Sequence, residues 1–452
     1  MYTNKNKSYK VAIHNLGCKV NAYEAEQMKN RLCAAGFEIV PFDAGADVYI
    51  INTCTVTNIA DRKSRQMLRR AKKFNPEALV IACGCYVDAK DKNPEVHKED
   101  ENIIDAFVRN DNKEEIVELI SGLLISKSGV KKMPLIDNSN KNSEKSDVLK
   151  RKEPMVNIGG HTRGFLKVED GCDRYCAYCI IPYVRGAVKS RPISEVIAEA
   201  NNLVAVGYKE IVLTGIHLSS YGKDIGSSLI ELLEELNCIE GIKRLRLGSL
   251  EPKLISDEFV YRLSGLSKIC PHFHLSLQSG CDETLKRMKR RYTKAEYENS
   301  CMLLRSAYVN PALTTDVIVG FPQESDAEFK ESYDFINKIG FYETHIFQYS
   351  IREGTLAAKM DGQIEAAIKK ERSERLAILN KEKQLLYEST FLGKQVCVLI
   401  EEIIKENDEV FAIGHTDEYL KIKMPIEESL DAGSLINMLK KWELTNISQI
   451  TH

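Results

Sequence analysis

Gly171-Cys172-Asp173-Arg174-Tyr175-Cys176-Ala177-Tyr178-Cys179 is the stretch on which the reading of this chain turns. Its cysteines are spaced C-x3-C-x2-C and follow a short run, 164–170, patterned like a strand. Three thiolates on one loop can hold one metal centre, yet a tetrahedral zinc or a four-iron cluster takes four ligands. One corner is therefore unassigned. Either His161, a short way upstream, completes a zinc site, or an iron is left open to an outside molecule. Inert buried cysteines are the plain alternative.

The chain has 452 residues, room for about three domains of ordinary size. Hydrophobic residues make up 43% and charged residues 28%, a balance that suits a globular protein with a substantial core. A formal net charge of -2 excludes a global positive field, so any nucleic-acid contact must rest on local basic patches. Residues 1–10 are polar and show no secretory pattern. No apolar run reaches spanning length, so no membrane association and a cytoplasmic location are expected. There the 13 cysteines stay reduced and read as ligands and core residues, not disulfides.

Working outward, three β-branched apolar runs open the chain, at 9–17, 47–53 and 78–84, and each ends at a cysteine: Cys18, Cys54 and Cys85. Their separations of 36 and 31 positions are about one βαβ unit, with helical patterns at 24–35 and 61–73 between them. Parallel strands joined by right-handed crossovers bring their carboxyl ends to one edge. A second three-cysteine site on that rim is expected, against chance endings of buried strands. Cys83 shares a strand face with Cys85, so alternation does not choose between them. Cys33 sits in a helical pattern and reads as core.

Residues 126–154 are rich in Lys, Ser, Asn, Asp and Glu and read as a linker. Beyond it, strand patterns at 164–170, 210–215, 243–249, 272–277, 314–320 and 345–349 alternate with helical ones at 193–206, 229–237, 258–266, 294–308 and 326–339. Six such units suit a partial (β/α)6 barrel with its functional loops at the strands' C-terminal ends. A long helical pattern, 364–387, leads to short alternating segments at 395–400, 410–415, 419–424 and 434–437, which predict a small all-β barrel. Two basic runs, Arg62, Lys63, Arg65, Arg69, Arg70, Lys72, Lys73 and Lys286, Arg287, Lys289, Arg290, Arg291, are read as phosphate-backbone contacts in preference to solvated helix faces.

The cysteine spacing, with Tyr178 before the last cysteine, resembles the motif of the radical S-adenosylmethionine enzymes. The words Gly17-Cys18-Lys19-Val20-Asn21, Asn52-Thr53-Cys54-Thr55-Val56-Thr57-Asn58 and Gly84-Cys85-Tyr86 look like the N-terminal domain of that superfamily's methylthiotransferases. The resemblance implies an α/β chain of four parts. These are an N-terminal parallel α/β sheet domain (1–125), a linker (126–154), a central partial (β/α)6 radical-SAM barrel (155–388) and a small C-terminal TRAM barrel (389–452). It implies two [4Fe-4S] clusters, one on Cys172, Cys176 and Cys179 and an auxiliary one on Cys18, Cys54 and Cys85, with Cys83 left out. S-adenosyl-L-methionine is implied as cofactor, with Tyr178, Gly215, Glu251, Gln278 and Asp316 as its contacts. These residues belong to words that end successive strands, such as Thr214-Gly215-Ile216-His217 and Leu277-Gln278-Ser279-Gly280. Gln323 stands where the family's Gly-Phe-Pro word is usually followed by glycine.

Family chemistry, so implied, replaces a hydrogen on an unactivated carbon by a methylthio group: a deoxyadenosyl radical abstracts the hydrogen and the auxiliary cluster delivers sulfur. The two trios are then expected to face one nucleobase. Partners implied are the tRNA anticodon stem-loop and an electron donor such as flavodoxin or ferredoxin. The Cys18 and Cys54 words, with 178–186, look most like the enzymes acting on threonylcarbamoyladenosine at position 37. Siblings act on isopentenyladenosine or on a ribosomal-protein aspartate. A non-catalytic zinc-dependent RNA-binding protein is the alternative from another class.

Overall fold

The computed structural model describes residues 8–92, 102–127, 162–426 and 432–452; His161 and linker residues 128–154 lie outside the described residues. Two compact units result, one drawn from residues 1–159 and 180–186, the other from 160–179 and 187–452. The inclusion of 180–186 in the first unit is not legible in the sequence.

In the first unit, β1 (Lys10–Asn15), β2 (Glu38–Ile39), β3 (Val48–Thr53), β4 (Leu79–Gly84) and β5 (Ala106–Val108) form a sheet in the order β2-β1-β3-β4-β5. Every pairing in it is parallel. Its helices are α1 (Lys19–Ala34), α2 (Asn58–Phe74), α3 (Cys85–Lys92), α4 (Ile116–Lys127) and the short α5 (Ile181–Arg185). Ser126 and Lys127, expected in the linker, thus close α4. Successive side chains of a strand point to opposite faces. Accordingly Val48 and Ile50 pack with Met28 and Leu32 of α1 and Ile116 and Ile120 of α4, while Tyr49 and Ile51 pack with Leu68 and Ala71 of α2. Because β3 and β4 are buried on both faces, they read as continuous apolar runs. The strand order reverses direction between β1 and β3, the place where open parallel sheets bind ligands outside the strands' carboxyl ends. Cys18 and Cys54 follow those two strands.

The second unit carries β6 (Arg163–Lys167), β9 (Glu210–Thr214) and β10 (Arg244–Leu247) as one parallel block, and β11 (His272–His274), β12 (Ala312–Val319) and β13 (Glu343–Gln348) as another. A bridge between Leu250 and Leu275 links the blocks. Between β6 and β9 lies a small antiparallel pair, β7 (Glu169–Asp170) with β8 (Lys189–Ser190). Helices 193–205, 229–238, 257–264, 294–307 and 326–339 separate the strands as the pattern predicts. β11 stops three residues short of its expected end, where Gln278 takes a left-handed backbone (φ 67).

A five-stranded antiparallel sheet ends the chain: β14 (Gln395–Glu406), β15 (Glu409–Thr416), β16 (Lys421–Ile426), β17 (Leu439–Glu443) and β18 (Ile450–Thr451), ordered β17-β14-β15-β16-β18. The expected strand at 434–437 is instead the end of a short helix, Ala432–Leu435, and the pairing strand follows at β17. Alternation in Leu439-Lys-Lys-Trp-Glu is masked by its charged residues, as suits an edge strand. This sheet sits against the N-terminal ends of the barrel strands. Arg246 donates to Glu210 at 2.6 Å and to the Thr416 and Asp417 carbonyls at 3.1 and 2.9 Å, and Arg244 donates to the Cys397 and His415 carbonyls at 2.7 and 2.9 Å. The C-terminal ends of those strands are left to the loops that carry Cys172, Gly215, Glu251 and Gln278.

Arg246 and Glu210 are both within 1% of full burial, so removing one leaves a charge without its best partner. Arg246→Leu is expected to lower unfolding stability by about 3–5 kcal/mol in urea titrations. A loss below about 1 kcal/mol, the scale of an ordinary surface change, would refute the clamp.

Candidate metal centres

In the first unit each cysteine is placed by the backbone just past a strand. Cys18 caps α1, Cys54 follows β3, and Cys85 opens α3 directly after β4. Gly17 (φ 106) lies so close to Cys54 that a Cβ there would stand 2.8 Å from the Cys54 Cβ, and at Gly84 (φ 96) it would stand 2.5 Å from the Thr53 carbonyl. Only glycine fits both turns. Asn21 joins two of the words: its amide donates to the Leu16 carbonyl at 2.7 Å and to the Thr53 carbonyl at 3.0 Å. Asn52 in turn donates to the Asn21 carbonyl at 2.8 Å. Cys54 and Cys85 are buried and Cys18 is exposed at the rim. Burial pushes the Cys54 thiol up to about 11. Cys83 turns away into the core beside Val11, Met28 and Ile81, its thiol against the Ile51 carbonyl at 3.6 Å and pushed up to about 12 by burial. Alternation grouped Cys83 with Cys85; the start of α3 separates them.

In the second unit the 171–179 loop bends at Gly171 (φ 80) and Tyr175 (φ 49). It is pinned by Ala177 N–H to the Met288 carbonyl at 2.9 Å and by Ala357 N–H to the Ala177 carbonyl at 2.7 Å. Cys172 and Cys176 are buried, Cys179 half-buried, and burial pushes the Cys172 thiol up to about 11. Arg290 donates to the Cys176 sulfur at 3.2 Å and lies over the Tyr292 ring at 4.9 Å. Among its further partners is Glu251, at 3.6 Å, which also holds Arg174 at 2.6 Å and His217 at 3.4 Å. Burial alone would raise the Glu251 carboxyl, but His217, Arg290 and Arg174 together hold it down at about 2. Glu169, pushed up to about 8 by burial, accepts from His217 N–H at 2.8 Å. A Cβ at Gly215 would stand 2.4 Å from its carboxylate, so only glycine lets the two pass.

The remaining expected contacts lie on the same strand ends. Tyr178 packs edge-on against Phe321 at 6.5 Å, and Gln278 N–H donates to the Asp316 carbonyl at 2.8 Å. Asp316 meets His274 at 3.2 Å, and His274 stacks on His345 at 5.7 Å. Thr315, next to Asp316, accepts from Tyr297 of the surrounding helices at 3.2 Å, so Asp316, His274 and His345 face the barrel interior. His274, His345 and Arg174 carry no signal of their own in the sequence, Arg290 shows there only as part of a basic run, and nothing short of the fold brings the four in. In the second basic run Arg287 is paired with Glu328 at 2.7 Å and Arg290 is turned inward to Cys176, while Lys286, Lys289 and Arg291 are exposed. In the first run Arg62, Lys63, Arg69, Arg70 and Lys73 are exposed along α2. Gln323 takes the left-handed backbone (φ 64) that glycine adopts without strain.

Two sulfurs on one tetrahedral zinc stand about 3.8 Å apart. In neither trio do all three sulfurs come within 4.8 Å of one another; among the described residues the group that does is His274, Asp316 and His345. Neither trio thus has the spacing of a preformed single-ion site, and three thiols with one corner left over suit a four-iron cluster.

Glu251 is charged in the fold down to about pH 2, against 4.5 ordinarily, so it adds stability above pH 4.5 that is lost as pH falls through about 2. Glu251→Gln is expected to cost about 3 kcal/mol near neutrality in urea titrations of the metal-free protein. The deficit should shrink as pH drops below 4.5; a pH-independent deficit would refute the assignment.

Residues 10–108 match the uncharacterized protein family UPF0004, and residues 166–336 match the radical SAM superfamily. Threonylcarbamoyladenosine tRNA methylthiotransferase MtaB of Bacillus subtilis is 40% identical over 91% of this chain and 89% of its own length. tRNA-2-methylthio-N(6)-dimethylallyladenosine synthase of Acetivibrio thermocellus is 34% identical over 98% and 91%. Among solved structures, the radical S-adenosylmethionine methyltransferase TsrM from Kitasatospora setae shares the fold, with a TM-score of 0.53 at 15% identity over 76% of this chain and 75% of that one. With two trios at two strand-end rims and relatives matched over nine-tenths of its length, the chain belongs to the radical S-adenosylmethionine tRNA methylthiotransferases.

Proposed function

We propose that this chain methylthiolates N6-threonylcarbamoyladenosine at position 37, beside the tRNA anticodon, to give 2-methylthio-N6-threonylcarbamoyladenosine. The observation that carries the reading is the 40% identity to MtaB across 91% of the chain. Cys172, Cys176 and Cys179 would hold one [4Fe-4S] cluster, with S-adenosyl-L-methionine at its open iron beside Tyr178, Gly215, Glu251, Gln278 and Asp316. Cys18, Cys54 and Cys85 would hold the second. These groups, when bound, supply radical hydrogen abstraction and a sulfur source, which acid–base side chains working near neutral pH cannot.

The chain's own part is placement. Arg290 steadies Cys176 and is itself steadied by Glu251, so the cluster loop keeps one geometry before any cofactor arrives. Gly215 gives the backbone close approach to Glu169 at the end of β9. His274, Asp316 and His345 make the interior polar at β11 to β13. That polarity supports a base bearing a carbamoyl and carboxylate over one bearing an apolar isopentenyl group, which is the sibling reading. The exposed basic face of α2 supports contact with the tRNA anticodon stem-loop. The terminal antiparallel sheet supports a TRAM-type barrel, a class that binds RNA. A low-potential donor such as flavodoxin or ferredoxin would supply electrons in the cytoplasm. Among the described residues no helix is long and apolar enough to cross a membrane.

Nucleoside mass spectrometry of tRNA from a strain lacking the protein is expected to show loss of the 2-methylthio form and accumulation of its unthiolated precursor. Loss of the methylthio form of isopentenyladenosine instead would assign the sibling activity. Anaerobically reconstituted protein is expected to hold about eight irons. Cys176→Ala is expected to abolish S-adenosylmethionine cleavage, and Cys54→Ala to retain cleavage without thiolation. Thiolation by Cys54→Ala would end the auxiliary role.

A further inference from the structure

Arg185 lies in the first unit although it follows Cys179 by only six positions. Its side chain is 1% exposed, and every nitrogen is engaged. Nε donates to the Cys85 sulfur at 3.4 Å. Nη1 donates to Glu24 at 2.9 Å, and Nη2 to the Asn21 amide oxygen at 2.8 Å and to Glu24 at 3.3 Å. Asn21 is the residue that ties the Cys18 word to the Cys54 word, so one guanidinium touches the supports of all three thiols.

Glu24 is shared between Arg185 and the buried Lys113. Asp88 is held by Lys113 and Arg109 together, which oppose the effect of burial on its carboxyl. Arg185 is thus a buried cation whose Nε already points at a sulfur. A ligated Cys85 is a thiolate, so that hydrogen bond would become charge-assisted, the stronger kind.

We propose that Arg185 is a positioning residue for the iron-sulfur group on Cys18, Cys54 and Cys85: its donated hydrogen bond and buried charge hold that group in place and keep its reduction potential up. The inference rests on the reading of that trio as a cluster site. Adding an electron makes the group more negative, so a fixed cation beside a ligand sulfur favours the reduced form. Neutralising the side chain therefore shifts the one-electron couple downward.

The test uses the full chain with Cys172, Cys176 and Cys179 all changed to Ala, reconstituted anaerobically, and EPR at poised potentials with dithionite as reductant. Retention of about four irons is expected. If this background holds no iron while Arg185 is intact, the cluster reading of the trio has failed, not the role of Arg185. In the iron-holding background, Arg185→Met is expected to lower the midpoint by about 59 mV or more, a tenfold fall in the reduced-to-oxidised ratio at fixed potential. An unchanged midpoint with four irons retained overturns the proposal. Where Arg185→Met loses iron with far-UV circular dichroism unchanged, Arg185→Lys decides: iron restored by the lysine supports the charge requirement, and iron still absent overturns it.

Discussion

A sulfur that is to carry negative charge inside a protein is stabilised by a cation held beside it, and each unit of this chain sets a buried arginine against a cysteine sulfur. Arg290 donates to Cys176 and Arg185 to Cys85. Neither arginine is left uncompensated: Glu251 backs the first and Glu24 the second. Burial pushes the Cys54 and Cys172 thiols up to about 11, so any metal taken up there would have to displace protons.

The rest follows from strand direction. A parallel sheet sends every carboxyl end to one edge, and both units hang their cysteines from that edge. In the first unit the order β2-β1-β3-β4-β5 opens the edge between β1 and β3, and the glycines at 17 and 84 let the turns crowd against Cys54 and Thr53. In the second unit the opposite, N-terminal edge is covered by the terminal antiparallel sheet through Arg244 and Arg246. That division leaves one rim for chemistry and the other for stability, as barrels of this kind do.

What could be read from sequence was what is local. Strands β3, β4 and β9 announce themselves because burial on both faces makes apolar runs. The cysteine words were legible because each sits immediately past a strand-like run. Short edge strands such as β2 and β5 have too few residues for a pattern, and β17 hides its alternation under lysines. Arg185 and Arg290 were invisible as site residues because their sulfurs lie 100 and 114 positions away in the chain. Charge composition is legible only in part: between Lys286 and Arg291 the arginines at 287 and 290 are turned to Glu328 and Cys176, while Lys286, Lys289 and Arg291 stay exposed.

Arginine meets more partners at these positions than lysine would. At Arg185 one planar group reaches a carboxylate, an amide oxygen and a sulfur in three directions, and at Arg290 it meets a sulfur and a carboxylate while its face covers Tyr292. A lysine ammonium is a point charge on a flexible stem; it could supply the charge beside the sulfur but would hold the other partners less firmly in register. The same fork also explains why the segment after Cys179 belongs with the first unit. Once Arg185 is buried against Glu24 and Asn21, withdrawing it would strand three polar partners away from water, so residues 180–186 are bound to the sheet that carries Cys18, Cys54 and Cys85.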